Sequence, residues 1–160
     1  MKKQTKKDIK GTQLYYEKLF LDGRYHTLRE ELELNLKKDP NHVDNLIKIA
    51  AVYRELKHYS LSESMFIKAI QLKPNHPYPY SAYGELLFHV GLMDRALKQY
   101  DKALSIDKNY YLALYGMGQA YIKNLDYSEA IKCFKLALKS KPDSEDLIKS
   151  LGSSLSLIHI

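Results

Sequence analysis

The sequence predicts an all-α protein made of stacked helical hairpins, and three observations support this prediction. First, a pattern recurs every 34 residues: Pro40, Pro74 and Pro142 lie 34 and 68 residues apart, and Lys108 occupies the intervening position. Second, apolar residues within each interval follow the i, i+3, i+4, i+7 spacing of amphipathic helices. Third, no segment alternates apolar and polar residues with the period of two that is typical of strands.

Each of three intervals, residues 43–76, 77–110 and 111–144, divides into two helices separated by a short polar break. The first helix carries an apolar stripe that includes one small residue, and the second carries Ala or Ser, an aromatic residue and Ala. The stripes of the first helices are Leu46, Ile49, Ala50 and Tyr53; Tyr80, Tyr83, Gly84 and Leu87; and Leu114, Met117, Gly118 and Tyr121. Those of the second helices are Ser62, Phe66 and Ala69; Ala96, Tyr100 and Ala103; and Ala130, Phe134 and Ala137.

These motifs resemble the tetratricopeptide repeat family, whose pattern has the same length and places a proline after the second helix. The strict resemblance covers about two-thirds of the chain. Departures are Tyr83, where a Leu-like residue is usual, and Lys108, where proline is usual. The resemblance implies a right-handed α-solenoid of stacked helix-turn-helix repeats, because a single repeat cannot bury its apolar face alone.

Residues 9–42 are predicted to form a degenerate N-terminal capping repeat. In this segment Tyr16 occupies the position of the small residue, and Asn35 replaces the second Ala. Terminal repeats are often atypical because one of their faces meets water. Residues 1–8, which precede this repeat, are predicted to form a basic flexible tail. The first ten residues hold five lysines and one aspartate, so most of the formal net charge of +6 is theirs and the remaining chain is nearly neutral.

Residues 145–160 are predicted to form a C-terminal partial repeat or capping helix. A helix in this segment would cover the last complete repeat. The segment ends in the apolar tail 156–160, which indicates self-association through this helix. Four residues of the segment take first-helix positions of the repeat, namely Ile148, Leu151, Gly152 and Leu155.

The sequence predicts no catalytic, cofactor-binding or metal-binding residues, and therefore a protein that is not an enzyme. It lacks the Gly-rich loops that hold phosphate groups and the G-x-S-x-G turn of hydrolases. No histidine has another histidine four residues away, and the single Cys133 lacks the second thiol of a C-x-x-C motif. Gly116 and Gly118 form a G-x-G, but they lie within a predicted helix. Because one cysteine cannot form an internal disulfide, a reducing, cytoplasmic location is expected.

The resemblance to tetratricopeptide repeats implies a concave groove lined by the first helices. In that family the second, fifth, ninth, twelfth and thirteenth positions of each first helix face the groove. In this chain those positions are largely apolar or aromatic with a few charges of mixed sign, which suits an extended peptide or a partner helix. The predicted groove residues are Lys48, at a sixth position, and, at the positions given above, Arg54, Tyr78, Ser81, Glu85, Phe88, Tyr115, Gln119, Ile122 and Lys123.

The sequence therefore predicts a noncatalytic scaffold or adaptor that binds a peptide or helix of another protein in the groove. Two alternatives stay open: the regulatory repeat array of a longer, truncated enzyme such as a glycosyltransferase, and a small secretion or assembly chaperone. No small-molecule substrate is expected, and no membrane partner, since no apolar stretch approaches the roughly 18 residues of a spanning helix. Nucleic acid is not expected either, because the positive charge is concentrated in the N-terminal tail.

Overall fold

The computed structural model describes residues 11–158, and within this range it contains nine α-helices and no strand. The all-α prediction is therefore confirmed over these residues. The predicted basic tail, residues 1–8, lies outside the described residues, as do residues 9, 10, 159 and 160. The helices are α1 (Gln13–Leu21), α2 (Tyr25–Lys38), α3 (Val43–Glu55), α4 (Tyr59–Leu72), α5 (Pro77–His89), α6 (Met93–Ile106), α7 (Tyr111–Lys123), α8 (Tyr127–Ser140) and α9 (Glu145–Ile158).

The chain divides into two compact units, Met1–Leu72 and Lys73–Ile160. In the first unit, α1 packs against α2, α2 against α3, and α3 against α4. In the second unit, α5 packs against both α6 and α7, α6 against α7, α7 against α8, and α8 against α9. Within each unit the helices thus bury their apolar faces against their neighbours, as repeats that are stable only when stacked must do.

One aromatic side chain from the second helix of each of the last three hairpins fills its core. Phe66 on α4, Tyr100 on α6 and Phe134 on α8 are almost completely buried. Two of the rings lie over glycines: a Cβ added to Gly84 would be 2.6 Å from Tyr100 Cε1, and one added to Gly118 would be 2.6 Å from Phe134 Cζ. Because Cβ atoms do not approach other atoms so closely, the absence of a side chain allows the helices to pack at this separation.

Two histidines at equivalent repeat positions precede first helices. His42 Nδ1 accepts a hydrogen bond from the Asn45 amide at the start of α3 (3.3 Å). His76 Nδ1 accepts one from the Tyr78 amide at the start of α5 (3.2 Å). Each imidazole thereby satisfies one of the amides that the first turn of a helix leaves unpaired. The first residue of α5, Pro77, has no amide that needs a partner.

The turn within each hairpin places one residue in the left-handed backbone conformation. Gly23 (φ +68°), Lys57 (φ +62°), Gly91 (φ +84°) and Leu125 (φ +64°) follow one another at 34-residue intervals. Glycine adopts this conformation freely, whereas Lys57 and Leu125 are strained by roughly 1–2 kcal/mol each. Since all four hairpins make the same turn, the packing of the helices imposes it even where the local residue disfavours it.

Two departures from the repeat pattern in the first hairpin compensate for each other. Tyr16 is buried although it stands at the position of a small residue, and its hydroxyl accepts a hydrogen bond from Asn35 Nδ2 (2.5 Å). Asn35 itself stands where the other second helices have Ala. The tyrosine ring thus fills the space between α1 and α2, and the asparagine satisfies the hydroxyl that this ring carries inward.

Candidate peptide-binding groove

A cation–π contact joins two predicted groove residues of the second unit. Phe88 is half-buried near the end of α5, and Lys123 Nζ at the end of α7 lies 5.5 Å from the centre of its ring. The ammonium group is attracted by the negative face of the ring, which contributes about 0.5–1 kcal/mol at an exposed site. Together the two side chains offer a ligand one aromatic surface and one positive charge.

The other predicted groove residues of α7 are half-buried, and two of them contact residues of α8 and α9. Tyr115 packs its ring at 6.0 Å from the ring centre of the buried Phe134. Gln119 Nε2 donates a hydrogen bond to Ser150 Oγ on α9 (3.2 Å). Ile122 is half-buried and one turn from Gln119. These contacts hold α7 against its neighbours and leave part of each side chain at the surface.

Near the start of α5 the predicted residues differ in exposure. Tyr78 is half-buried, Glu85 is exposed, and Ser81 is buried, so the Ser81 hydroxyl is little available to a ligand. Tyr110, which precedes α7, lies beside Tyr78. Burial, reinforced by the neighbouring phenol of Tyr78, raises the pKa of Tyr110 to about 12. Both phenols are therefore neutral at pH 7, and this end of the α5–α7 pair carries two aromatic rings.

The first unit contains two predicted groove residues, Lys48 and Arg54, both on α3. Lys48 Nζ lies 5.8 Å from the centre of the Tyr16 ring on α1. The Arg54 guanidinium forms an ion pair with the adjacent Glu55 (2.9 Å), and only 11% of the Arg54 side chain is exposed. Lys48 thus lies over a buried ring of α1, and Arg54 is largely covered, so neither side chain is a freely extended charge.

Three residues around the predicted groove were not predicted from the sequence. They are Tyr110 beside Tyr78, Ser150 beneath Gln119, and Gly116. A Cβ on Gly116 would be 2.7 Å from the hydroxyl oxygen of Tyr100 on α6, so this glycine lets α6 approach α7 closely. The sequence signal for this close packing was the G-x-G that Gly116 and Gly118 form in α7. Gly116 lies against the Tyr100 ring of α6, and Gly118 lies against the Phe134 ring of α8.

Cys133 and the possible metal ligands are the groups among the described residues that bear on covalent or metal chemistry. Cys133 is buried, and burial with the nearby Glu129 raises the pKa of its thiol to about 11, so the thiol is protonated at neutral pH. No three His, Cys, Asp or Glu side chains between residues 11 and 158 cluster in a way that could hold a metal ion. Over the same range, no helix has both the length and the apolar character to cross a bilayer.

Comparison with known families decides what kind of protein this is. One tetratricopeptide repeat profile matches residues 43–76, the bounds of a predicted repeat, and a second matches residues 87–155. This chain belongs to the tetratricopeptide repeat family. The solved structure of a thermophilic tetratricopeptide repeat protein of Thermus thermophilus has a TM-score of 0.80 to it at 17% identity, covering 88% of this chain and 78% of that one. The predicted α-solenoid class is thereby confirmed.

Curated proteins are similar to the chain over parts of their length. The small glutamine-rich tetratricopeptide repeat-containing protein 2 of Mycosarcoma maydis is 29% identical over 98 residues, which is 61% of this chain and 28% of that protein. Protein O-mannosyl-transferase TMTC1 of Mus musculus is 27% identical over 124 residues, which is 73% of this chain and 13% of that protein. The chain thus spans less than a third of the length of either relative.

Proposed function

We propose that this tetratricopeptide repeat protein is a noncatalytic protein-interaction scaffold that binds a peptide or helix of a partner on the α5–α7 surface. The observation that carries the proposal is the pairing of Phe88 with Lys123, whose helix α7 also carries the half-buried Tyr115 and Ile122. Aromatic and aliphatic groups that are partly buried before binding lose little side-chain entropy when a ligand covers them. Membership of a family of interaction repeats supports the same function.

The chemistry of this surface indicates what kind of peptide it would bind. Phe88, Tyr115 and Ile122 supply apolar area for one or two large side chains of the ligand. Lys123 adds a positive charge and Glu85 a negative one, so the surface has little net charge. A ligand that matches it is an apolar or aromatic peptide with few charges, one of them an acidic group near Lys123. We place this scaffold in the cytoplasm, because its single cysteine suits a reducing compartment.

Selection of peptide ligands followed by substitution on the surface tests the proposal. A random-peptide phage library is panned on the immobilised protein, and the selected peptides are titrated against the wild type and the Phe88→Ala variant. The expected result is binding at least about tenfold weaker to Phe88→Ala, since an aromatic anchor at the centre of an interface typically contributes more than about 1.4 kcal/mol.

The matched control is Leu136→Ala, which removes a partly exposed apolar side chain from α8, a helix that contributes no predicted groove residue. Circular dichroism of both variants checks that the helices remain folded. Peptides that bind Phe88→Ala as tightly as the wild type, or that lose affinity equally with Leu136→Ala, would contradict the proposal.

A second candidate function is that of a regulatory repeat array within a longer glycosyltransferase. The similarity to the O-mannosyl-transferase TMTC1, which extends over 73% of this chain, favours it. Sequencing the genomic locus beyond both ends of the reading frame tests it. A transferase domain in the same frame would support this candidate, and its absence from the complete gene would refute it. A small secretion or assembly chaperone, the remaining alternative, is a version of the scaffold proposal with a secreted or assembling protein as the partner.

A further inference from the structure

Three tyrosines lie together where α5 and α7 begin in the second unit. Tyr78 is the second residue of α5, Tyr110 directly precedes α7, and Tyr111 is the first residue of α7. The ring centres of Tyr110 and Tyr111 are 6.3 Å apart, and their planes are tilted by 48°. The phenols of both Tyr78 and Tyr111 help to raise the pKa of Tyr110, because they lie close to it. These three half-buried residues are called the tyrosine cluster.

The tyrosine cluster lies at the opposite end of the α5–α7 pair from Phe88 and Lys123. Tyr78 and Phe88 stand ten positions apart on α5, which is roughly 15 Å at the rise of an α-helix. Lys123 is the last residue of α7, whereas Tyr111 is the first. A ligand held by Phe88 and Lys123 therefore does not need to reach the tyrosine cluster.

Tyr110 stands at a repeat position that carries a histidine before the two preceding first helices. His42 and His76 each accept an amide hydrogen bond and so cap α3 and α5. No side chain caps α7 in this way. The side chain of Tyr110 is thus not used to begin its helix, and its ring lies beside Tyr78 and Tyr111 instead.

Lys141 at the end of α8 holds the Tyr111 ring in place. Its Nζ lies 4.5 Å from the centre of this ring and donates a hydrogen bond to the Tyr111 hydroxyl (3.2 Å). An ammonium group has three N–H donors, and Lys141 is exposed, so donors remain for a ligand. A ring that is fixed before binding loses little side-chain entropy when a ligand covers it.

The hydrogen-bond acceptors next to Tyr110 in the chain are already engaged. Asp107 Oδ1 accepts a hydrogen bond from the Asn109 amide (3.0 Å), and the Asn109 carbonyl accepts one from the Ser140 hydroxyl (2.9 Å). The Tyr110 carbonyl accepts one from the Leu114 amide (3.2 Å). The tyrosine cluster therefore offers donors more readily than acceptors, and it suits a ligand with free carbonyls and few N–H groups.

Two hydrogen bonds within the chain show how such donors bind the carbonyl of a proline. The Tyr80 hydroxyl donates to the Pro74 carbonyl (2.9 Å), and Lys68 Nζ donates to the Pro40 carbonyl (2.6 Å). The connection before α7 has Lys108 at the position of these prolines. Tyrosine and lysine side chains thus pair with proline carbonyls elsewhere in the array, while the connection beside the tyrosine cluster has no proline of its own.

We propose that the tyrosine cluster binds a proline-rich segment of a partner protein in the polyproline II conformation. Proline has no amide N–H, and the carbonyls of a polyproline II helix form no internal hydrogen bonds, so they are free to accept from phenol and ammonium groups. Such segments dock on surfaces lined by aromatic rings, and their preformed backbone loses little entropy on binding. This site is additional to the surface around Phe88 and does not require a ligand there.

The charges around the tyrosine cluster favour such an uncharged ligand over a nucleic acid. Lys108 is directly preceded by Asp107. Lys141 is followed two residues later by Asp143. Because affinity for a nucleic acid depends mainly on an excess of positive charge, this balance disfavours a phosphate backbone.

A capped, fluorescently labelled hexaproline peptide, about 19 Å long as a polyproline II helix, is the probe. It is titrated into the full chain, and binding is followed by fluorescence anisotropy and by the amide resonance of Tyr111. The expected result is saturable binding with a shift of that resonance. A labelled peptide of three Gly-Ser pairs is expected to bind at least about tenfold more weakly, because its backbone is flexible and carries an N–H at every residue.

Protein variants locate the contact. Tyr110→His introduces the residue that caps α3 and α5, so the helix is expected to form while the phenol is lost. This variant and Tyr78→Ala are each expected to weaken hexaproline binding by at least about tenfold. Tyr127→Ala removes a half-buried tyrosine from the first position of α8 and is expected to leave binding unchanged. Circular dichroism of each variant checks that the helices remain folded.

Several results would overturn the proposal. They are the absence of saturable hexaproline binding, equal binding of the Gly-Ser peptide, and wild-type affinity in both Tyr110→His and Tyr78→Ala. A loss of hexaproline affinity that is larger in Phe88→Ala than in Tyr110→His would assign the proline segment to the other end of the α5–α7 pair. An oligothymidylate that binds more tightly than hexaproline and is weakened by Tyr110→His would assign the tyrosine cluster to single-stranded nucleic acid.

Discussion

Alanine substitutions at Gly118 and Gly152 separate the helix–helix contact from the intrinsic helix propensity. Both glycines lie within helices of the second unit, at equivalent positions of α7 and α9. At Gly118 the new methyl group would lie 2.6 Å from Phe134 Cζ and 2.9 Å from Phe134 Cδ1, and that ring is fully buried. At Gly152 the methyl group would meet nothing within 4 Å.

The two substitutions share one energy term and differ in another. Replacing a helical glycine with alanine stabilises the helix by about 0.8–1 kcal/mol at either position. At Gly118, overpacking against the Phe134 ring opposes this gain with a cost of about 1–3 kcal/mol, and the upper end applies because three ring atoms are too close and the buried ring has little room to move. Gly152→Ala is therefore expected to stabilise the chain by about 1 kcal/mol, and Gly118→Ala to destabilise it by about 2 kcal/mol.

Thermal unfolding of both variants beside the wild type measures this difference. At roughly 2–4 °C per kcal/mol for a chain of this size, the two melting temperatures should differ by roughly 6–12 °C, with the wild type between them. Urea unfolding of the same variants checks the order without heating. Equal shifts for the two variants, or a lower melting temperature for Gly152→Ala, would refute the claim that an aromatic ring covers one glycine and leaves the other open.

Two further predictions concern polar groups that the repeat pattern does not require. Tyr16→Phe and Asn35→Ala should each destabilise the chain, with a coupling energy of about 1 kcal/mol in a double-mutant cycle measured by urea unfolding; additive effects would contradict the hydrogen bond between them. The pKa of Tyr110 is about 12 in the folded chain, whereas the ordinary pKa of a tyrosine is 10.0. As the pH rises, the unfolded chain therefore loses this proton before the folded chain does. The contribution of this phenol to the free energy of unfolding is therefore fully present below pH 10 and is lost as the pH rises from 10 to 12. Tyr110→Phe should lose less stability than the wild type over this interval, and identical pH profiles would count against burial as the cause.

The sequence predicted the parts of the fold that depend on local periodicity. Phe66, Tyr100 and Phe134 were placed in the second-helix stripes by spacing alone, and all three are buried. The prediction from spacing succeeds because side chains three and four residues apart share one face of a helix, whichever other helices pack against it. The small residues at Gly84 and Gly118 were predicted on the same basis, since a large side chain at those positions would keep the paired helices apart.

The proposed groove was predicted less completely, because it depends on pairs of residues from different helices. The ten groove residues remain a prediction, and the structure adds contacts that their spacing did not contain. Lys123 lies over Phe88, and Gln119 bonds to Ser150, only because α7 packs against α5 and is joined to α9 in one register. The buried position of Ser81 likewise depends on neighbouring helices and not on its place in the repeat.

The 34-residue repeat, the helical hairpins and the residues that fill their cores were determined by the sequence alone, because each follows from spacing along a single helix. Which surfaces remain accessible was decided only by the tertiary structure. Ile148 and Gly152 stand at positions that are buried in α5 and α7, yet they are exposed on α9. The physical reason is that burial is a property of the pair of helices: the same residues form a core where a second helix packs over them and an open surface where none does.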